Sequence, residues 1–268
     1  MDTAAAFASL HPFLAGVLAS FVAGFMATTL GAVPVFVLRE LQPRTQNVML
    51  AFAAGVMLAA TFFSLLLPAL EEAELGLGNR SGAALGVIVA LLIGAITMHL
   101  AHRAAPHEHF GPKGRENADA SRLARVWLFV IAIALHNFPE GLAVGIAAGS
   151  GDLSDGLGVT LGIALQNMPE GLAVAVALRG EGYSRQSAFG IAALTGLLEP
   201  LGGIAGAGAI AISAALLPWA LAFAAGAMLF IISSEVIPET HRQGAERWAT
   251  SALFGGFAVM LYLDVALG

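Results

Sequence analysis

The sequence predicts an all-α polytopic membrane protein whose eight transmembrane helices form an inverted repeat, with both termini extracytoplasmic. The first observation is composition: 58% of the residues are hydrophobic and 11% are charged, whereas a soluble domain has about 25% charged residues. The second is that apolar runs of about 20 residues recur along the whole chain. The third is a near-identical segment that occurs in two consecutive runs. Alternating strands separated by turns are absent from the sequence, which argues against an outer-membrane barrel.

The apolar runs divide the chain into eight candidate spans within one transmembrane domain, residues 1–268. By hydropathy the spans cover roughly 9–37, 46–71, 82–104, 122–149, 157–179, 186–213, 215–236 and 246–266. Most connections are short. The exception is roughly 105–121, APHEHFGPKGRENADAS, a polar segment that contains glycine, proline and histidine and is typical of a loop.

The basic residues predict which side of the membrane each loop faces, because cytoplasmic loops are enriched in lysine and arginine. The connections after spans 1, 3, 5 and 7, with their flanks, hold eleven of the twelve: Arg39, Arg44, Arg103, Lys113, Arg115, Arg122, Arg125, Arg179, Arg185, Arg242 and Arg247. The opposite side holds Arg80. We therefore expect a cytoplasmic 105–121 loop and a multi-pass protein of the cell inner (plasma) membrane. No basic tract indicates nucleic-acid binding.

Spans 4 and 5 carry the repeated segment, ALHNFPEGLAVG at residues 134–145 and ALQNMPEGLAVA at residues 164–175. Consecutive spans run in opposite directions, so this repeat predicts two halves of opposite topology. Inverted repeats are typical of secondary transporters, whose site lies between the repeats. The alternative is that both copies are packing motifs, but packing does not require a glutamate in lipid.

Polar side chains inside spans 4 to 7 predict a cation site. Ionisable groups at membrane depth are unfavourable by a few kcal/mol and are retained where they face a cavity and have partners. The candidates are His136, Asn137, Glu140, Gln166, Asn167, Glu170, Glu199 and Glu235. Because these spans carry arginine only at their ends, at Arg122, Arg125 and Arg179, none is placed to neutralise the carboxylates, and we expect a metal ion to do so. Cysteine is absent, so the ligands are oxygen and nitrogen atoms.

Helical spacing places these ligands on one surface. At about 100° per residue, His136 and Glu140 lie about 40° apart and Asn137 lies about 100° from His136. Glu140 therefore projects between the other two and could bridge two adjacent sites. Pro139 and Pro169 predict a kink in each helix. Imidazole with carboxylates favours Zn²⁺, and Cd²⁺, Mn²⁺, Fe²⁺ and Co²⁺ stay open as alternatives.

These motifs resemble the ZIP (Zrt/Irt-like) family of divalent-metal transporters, most closely its compact prokaryotic members. The resemblance covers essentially the whole chain, with eight spans, a histidine-bearing loop after span 3 and paired HNxPEG-type motifs. It implies an elevator-like mechanism, in which spans 1, 4, 5 and 6 move past a scaffold of spans 2, 3, 7 and 8. It also implies a binuclear metal centre.

The resemblance assigns ligands to two sites. The first would use His136, Glu140, Gln166 and Glu170, with Met57 near. The second would use Asn137, Glu140, Asn167, Glu170 and Glu199, with Glu235 close by. The sequence departs from many relatives at positions 166 and 167, where both residues are amides. Neutral amides bind metal less tightly than histidine or carboxylate.

Weaker candidates lie near the two ends of the pathway. His99, His102, His107 and His109 cluster at the end of span 3 and in the following loop. They are candidates for metal capture at the exit, and the alternative is a solvated loop with incidental histidines. By resemblance, Ser64 and Asp264 mark the entrance, although a serine within a span is often a packing hydroxyl.

The leading hypothesis is a zinc uptake transporter, not an enzyme, with zinc as the transported substrate and divalent ions and the bilayer as partners. The phosphate-loop motif G-x-x-x-x-G-K-[ST] is absent. One alternative is an intramembrane metallohydrolase, but its usual H-E-x-x-H motif is also absent. The other is a proton-coupled metal exporter that uses the same carboxylates. A homodimer is an expectation from the family.

Overall fold

A computed structural model describes residues 11–38, 42–104, 118–151, 153–241 and 246–267. Within these ranges the chain is helical and contains no strand. Eight helices in these ranges are long and apolar enough to cross a membrane, which confirms the predicted span number. Spans 1 to 8 cover Pro12–Phe36, Arg44–Leu77, Arg80–Arg103, Phe129–Gly149, Gly156–Gly180, Arg185–Ile212, Ala214–Ser234 and Arg247–Ala266.

Several spans are built from more than one kind of helix. The α-helices run over Pro12–Ser20, Ala27–Ala32, Pro43–Ala59, Leu67–Leu77, Arg80–Ala104, Ala118–Gly149, Leu153–Gly180, Arg185–Thr195, Leu198–Ile212, Leu217–Ile231, Ile237–His241 and Glu246–Leu267. Short 3₁₀ turns occupy Val33–Phe36 and Ala214–Leu216. Wider π-helical turns occupy Phe21–Met26, Ala60–Leu66 and Ile232–Val236, in or at the end of spans 1, 2 and 7. Such turns are rare and frequently occur at functional sites.

Two helix ends differ from the predicted edges. Span 2 continues to Leu77, past the predicted end at 71, and stops where Gly78 adopts the left-handed conformation with φ 62°. Glycine at this position ends many helices, because it has no β-carbon to oppose that conformation. The helix that carries span 4 begins at Ala118, before the predicted 122. Alanine, leucine and arginine are good helix formers, so they extend the helix beyond its apolar part.

Span 6 is a broken helix, which the hydropathy pattern did not predict. Its first segment ends at Thr195 and its second begins at Leu198. Pro200 explains the break, because its ring has no N–H and clashes with the carbonyl one turn earlier. Glu199 consequently lies in the first turn of the second segment.

The spans pack as two groups. Spans 4 and 6 pack extensively on each other, and span 1 lies against both span 5 and this pair. Among the other spans, span 2 packs mainly on span 8 and span 3 on span 7. Spans 3 and 8 are the least buried, at 22% and 17%, whereas span 2 is 67% buried. Spans 3 and 8 therefore lie at the periphery, and the PEG motifs of spans 4 and 5 lie inside.

Glycine allows the helix backbones of spans 4 and 6 to touch. A β-carbon at Gly141 would collide with the carbonyl of Glu199, and one at Gly145 would collide with the backbone of Gly203. Small residues at such crossings are typical of helix packing in membranes. The contact fixes Glu199 beside the PEG motif of span 4.

A second internal repeat, overlooked by the predictions from sequence, relates spans 2 and 7. LAFAAGVML at residues 50–58 and LAFAAGAML at residues 221–229 agree at eight of nine positions. The two glycines occupy equivalent places: a β-carbon at Gly55 would meet the carbonyl of Leu253 in span 8, and one at Gly226 would meet the carbonyl of Leu91 in span 3. The pair of spans 2 and 8 thus corresponds to the pair of spans 7 and 3, with opposite direction in the membrane.

Candidate metal centre

The predicted ligands of spans 4, 5 and 6 are brought into the protein interior. His136, Asn137, Glu140, Gln166, Asn167, Glu170 and Glu199 are each at most 3% exposed. Hydrogen bonds connect the three spans here, because Gln166 of span 5 contacts Glu140 of span 4 and Asn167 of span 5 contacts Glu199 of span 6. The side chains that the sequence assigned to one centre therefore share one buried region.

His136 contacts the preceding turn of its own helix. Its Nδ1 atom lies within hydrogen-bonding distance of the carbonyl oxygen of Ala132. Because a carbonyl can only accept, Nδ1 carries the hydrogen in this arrangement. A neutral histidine fixed in this way has Nε2 as its basic nitrogen, and hydrogen bonding of one ring nitrogen commonly orients the other towards a metal.

Gln166 links the two PEG motifs. Its Nε2 atom donates a hydrogen bond of 2.5 Å to Oε1 of Glu140. The bond joins position 166 of one repeat to the glutamate of the other. It also fixes the orientation of the amide, since the NH₂ group must face the carboxylate.

Asn167 joins three spans. Its Nδ2 atom donates to the carbonyl oxygen of Ala23 in span 1 at 2.8 Å and to Oε1 of Glu199 in span 6 at 2.7 Å. Ala23 lies in the π-helical turn Phe21–Met26. Both partners are acceptors, so the amide nitrogen uses both of its hydrogens there.

Asn137 reaches the break in span 6. Its Nδ2 atom donates to the carbonyl oxygen of Thr195 at 2.8 Å. Thr195 is the last residue of the first helical segment. Carbonyls at a helix end lack an intrahelical donor, so this amide supplies one.

The amide and carboxylate groups leave six oxygen atoms without a donor. Within the described residues, no hydrogen-bond partner is found for the buried atoms Asn137 Oδ1, Gln166 Oε1, Asn167 Oδ1, Glu140 Oε2, Glu170 Oε2 and Glu199 Oε2. Buried polar atoms are nearly always paired, so such a set requires an explanation. All six atoms are electron-pair donors, and none of these glutamates forms an ion pair with a described lysine or arginine. Such a set of oxygens can be satisfied by hydrogen-bond donors or by a cation.

The buried oxygens of this region belong to both carboxylates and amides. Among the described residues, no three histidine, aspartate or glutamate side chains gather in the arrangement of a formed metal site. One oxygen of Glu140 and one of Glu199 are instead hydrogen-bonded to amides. Three of the six oxygens that lack a donor belong to amides, so a metal site in this region would combine amide oxygens with carboxylates.

The remaining sequence candidates have different surroundings. Met57 is fully buried. Ser64 Oγ donates to Oδ1 of Asp264 at 2.6 Å, so the two predicted entrance residues are in direct contact. The side chain of Glu235 lies outside the part of the chain that the structure describes.

The histidines at the end of span 3 pack against an aromatic ring. The rings of His99 and His102 lie edge-on to Phe230 of span 7, with centroids 5.5 and 6.3 Å away. His107 and His109 lie outside the described residues. The contacts of the first two histidines agree with a packing role, and their role in metal capture stays a prediction.

The predictions from sequence missed two backbone carbonyls that accept hydrogen bonds from side chains of the centre. The carbonyls of Ala23 and Thr195 orient Asn167 and Asn137, and no side-chain motif marks them. It also missed the equivalence of spans 2 and 7, although the repeated LAFAAG letters are visible in the sequence.

An eight-span helical protein with uncompensated carboxylates at its centre belongs to the class of integral membrane proteins that handle cations within the bilayer. Comparison with known proteins narrows this class. The family model of the ZIP zinc transporters matches residues 99–264. The chain belongs to the ZIP zinc transporter family.

Three relatives illustrate the breadth of this similarity. The chain is 47% identical to the zinc transporter GufA of Myxococcus xanthus, over 95% of the chain and 99% of that protein. It is 49% identical to the zinc transporter ZIPB of Bordetella bronchiseptica, over 92% of the chain and 79% of that protein. It is 35% identical to human zinc transporter ZIP11, over 90% of the chain and 94% of that protein.

Proposed function

We propose that the protein is a zinc uptake transporter of the cell inner membrane, with both termini extracytoplasmic. The observation that carries this proposal is the set of six buried oxygens that lack a donor within the described residues. The relatives are named as zinc transporters, and these names favour neither the metallohydrolase nor the exporter alternative.

The ion would be held by two adjacent sites that share carboxylates. One uses His136, Glu140, Gln166 and Glu170, with Met57 near. The other uses Asn137, Glu140, Asn167, Glu170 and Glu199, with Glu235 as a further candidate. The hydrogen bonds support this assignment through proximity, because they place Gln166 beside Glu140 and Asn167 beside Glu199. Zinc accepts oxygen and nitrogen ligands of these kinds.

The amides also explain how the carboxylates are accommodated without an ion. Gln166 donates to Glu140 and Asn167 donates to Glu199. Hydrogen bonds to charged groups contribute about 1.5–3 kcal/mol each. They are too weak to replace a divalent ion, and they do not add charge. The amides therefore stabilise the carboxylates in part and leave them able to bind a metal ion.

The proposed movement is an elevator in which spans 1, 4, 5 and 6 travel together past spans 2, 3, 7 and 8. Among the described glycines, each β-carbon position that would collide with another span's backbone lies between spans of the same group. Examples in the mobile group are Gly31 against Met168 and Gly171 against Thr28. Backbones in such contact cannot slide without collision, so each group is expected to move as a block.

The surface between the two groups is built differently. A β-carbon at Gly162 of span 5 would meet the sulfur and terminal methyl of Met260 in span 8, and these belong to a flexible side chain. Methionine adapts to changing surroundings because it is unbranched and has several rotatable bonds. A surface of this kind supports sliding between the groups.

The proposed transport path has an entrance on one side of the centre and an exit on the other. We propose that Ser64 and Asp264, which are hydrogen-bonded to each other, mark the entrance. The histidines of the 105–121 loop and of the end of span 3 would receive the ion at the exit. Cadmium, manganese, iron and cobalt are further candidate substrates, and a homodimer is the expected assembly.

Uptake into proteoliposomes tests the proposal. Purified protein should carry zinc into vesicles loaded with a zinc-sensitive dye, and a panel of divalent ions with an imposed pH gradient would define substrate and coupling. Glu140→Gln and Glu170→Gln should each lower the flux at least about tenfold, the scale of loss when a metal-site group is removed. The matched control is Glu72→Gln, because Glu72 is exposed outside the centre. Wild-type flux in either test variant would contradict the assignment.

A further inference from the structure

The repeat that relates spans 2 and 7 gives Met57 a counterpart. In LAFAAGVML and LAFAAGAML the methionine stands at the same place, two residues after the shared glycine. The counterpart is therefore Met228. Both methionines are fully buried, at 0% exposure, and both belong to the same cluster of buried apolar side chains.

The shared glycines show which way the methionines face. Gly55 faces span 8 and Gly226 faces span 3, the peripheral neighbours of their spans. A residue two positions later lies about 200° around the helix, on the opposite side. Met57 and Met228 therefore face away from the peripheral spans and towards the middle of the protein.

The spans that carry the metal centre lie on that side. Span 2 packs on span 5, and span 7 packs on span 4. The buried cluster that holds both methionines also contains Ala143 and Val144, the residues that follow the PEG motif of span 4. The inverted repeat exchanges span 2 with span 7 and span 5 with span 4, so the two methionines approach the centre in equivalent ways from opposite halves.

We propose that Met228 is a second thioether contact for the transported ion and that it takes the place of Met57 in the opposite phase of transport. This inference rests on the proposed function and extends it. In an elevator built from inverted repeats, the moving centre would meet equivalent positions on the two stationary halves, one in the outward phase and the other in the inward phase. An ion that lies beside Met57 in one phase consequently lies beside Met228 in the other.

The chemistry of the thioether fits a contact that has to be made and broken. Methionine sulfur is a soft, neutral ligand, so it favours soft ions such as Cd²⁺ without adding a charge that would retain the ion. A sulfur atom on each stationary half would give both phases the same preference. Met228 is thus expected to act on selectivity as much as on rate.

Leucine substitution tests the inference. Met57→Leu and Met228→Leu remove the sulfur with little change in volume, an exchange that buried sites usually tolerate. Each should lower the ratio of cadmium to zinc flux in proteoliposomes roughly fivefold or more, because one soft ligand is lost while the carboxylates stay. Met98→Leu is the matched control, since Met98 is also buried in a peripheral span at 6% exposure. A flux ratio for Met228→Leu equal to that of Met98→Leu would overturn the inference.

A second readout does not depend on flux. The chain has no cysteine, so Met228→Cys and Met98→Cys each introduce a unique thiol. Cadmium should slow the modification of position 228 by a thiol reagent and leave position 98 unaffected. A reaction at 228 that ignores cadmium, or no reaction at all, counts against the proposal. If the wild-type protein carries neither ion, the proposed function fails; if it carries both and only the Met228 results are negative, the inference alone fails.

Discussion

Replacing Asn167 with aspartate would exchange a donor for an acceptor at the junction of spans 1, 5 and 6. The native amide donates to the carbonyl of Ala23 at 2.8 Å and to Glu199 at 2.7 Å. A buried acceptor left without its donor costs about 1–3 kcal/mol, so the loss of both bonds amounts to about 2–6 kcal/mol. The new carboxylate would also repel Glu199. The metal-free protein should therefore be markedly less stable.

Bound zinc should reverse this loss. A divalent ion between the new carboxylate and Glu199 turns repulsion into shared coordination, so Asn167→Asp should bind zinc more tightly than the wild type. The assay is thermal unfolding of detergent-solubilised protein, with a chelator and with zinc. For a chain of this size, a loss of 2 kcal/mol corresponds to a fall of about 4 °C or more in the chelated protein. The rise on adding zinc should exceed that of the wild type.

Asn79→Asp is the control for this exchange. The side-chain oxygen of Asn79 accepts hydrogen bonds from the backbone N–H groups of Ser81 and Gly82, a role that aspartate fulfils equally well. This variant should melt like the wild type in both conditions. If Asn167→Asp melts at the wild-type temperature in chelator and shows the wild-type response to zinc, our account of Asn167 is wrong.

Three further predictions concern other parts of the protein. Gln166→His should tighten zinc binding and slow turnover, and unchanged affinity in a titration would show that position 166 is not a ligand. Gly141→Ala should lower the unfolding temperature and the zinc flux, because the new β-carbon would collide with the backbone of Glu199. The control is Gly255→Ala, which should behave like the wild type because nothing lies within 4 Å of a β-carbon there. Ser64→Ala removes the hydrogen bond to Asp264 and should raise the KM for zinc uptake, whereas a pure loss of thermal stability would indicate a packing hydroxyl.

The span number and the polar side chains that lie buried together in spans 4 to 6 could be predicted from the sequence. Apolar length determines what can cross a bilayer, and the two PEG motifs identify their own polar neighbours. The burial of Glu199 was also predicted, because a carboxylate within an apolar run has few alternatives.

The orientation of the amide side chains in the centre could not be predicted from the sequence. Asn167 and Asn137 are oriented by carbonyls 144 and 58 positions away in the sequence, and every residue type offers a carbonyl. The break in span 6 was missed for a different reason: hydropathy continues across Gly196 and Leu197, so only Pro200 signals it. The repeat of spans 2 and 7 is visible in the sequence. That it relates two equivalent helix pairs is shown only by the structure, in which Gly55 and Gly226 face equivalent neighbours.

The interruption of span 6 has a consequence for the return stroke of a carrier. Glu199 lies in the first helical turn after the break, where the exposed N–H groups and the helix dipole stabilise a negative charge by about 0.3–1 kcal/mol. The amide of Asn167 also donates to this carboxylate, so both features stabilise Glu199 when no ion is bound. In the proposed cycle, the carrier returns across the membrane after it has released its ion. A centre that was stable only with the ion bound could not make this return. In the proposed cycle, the break in span 6 would therefore stabilise the empty carrier during its return across the membrane.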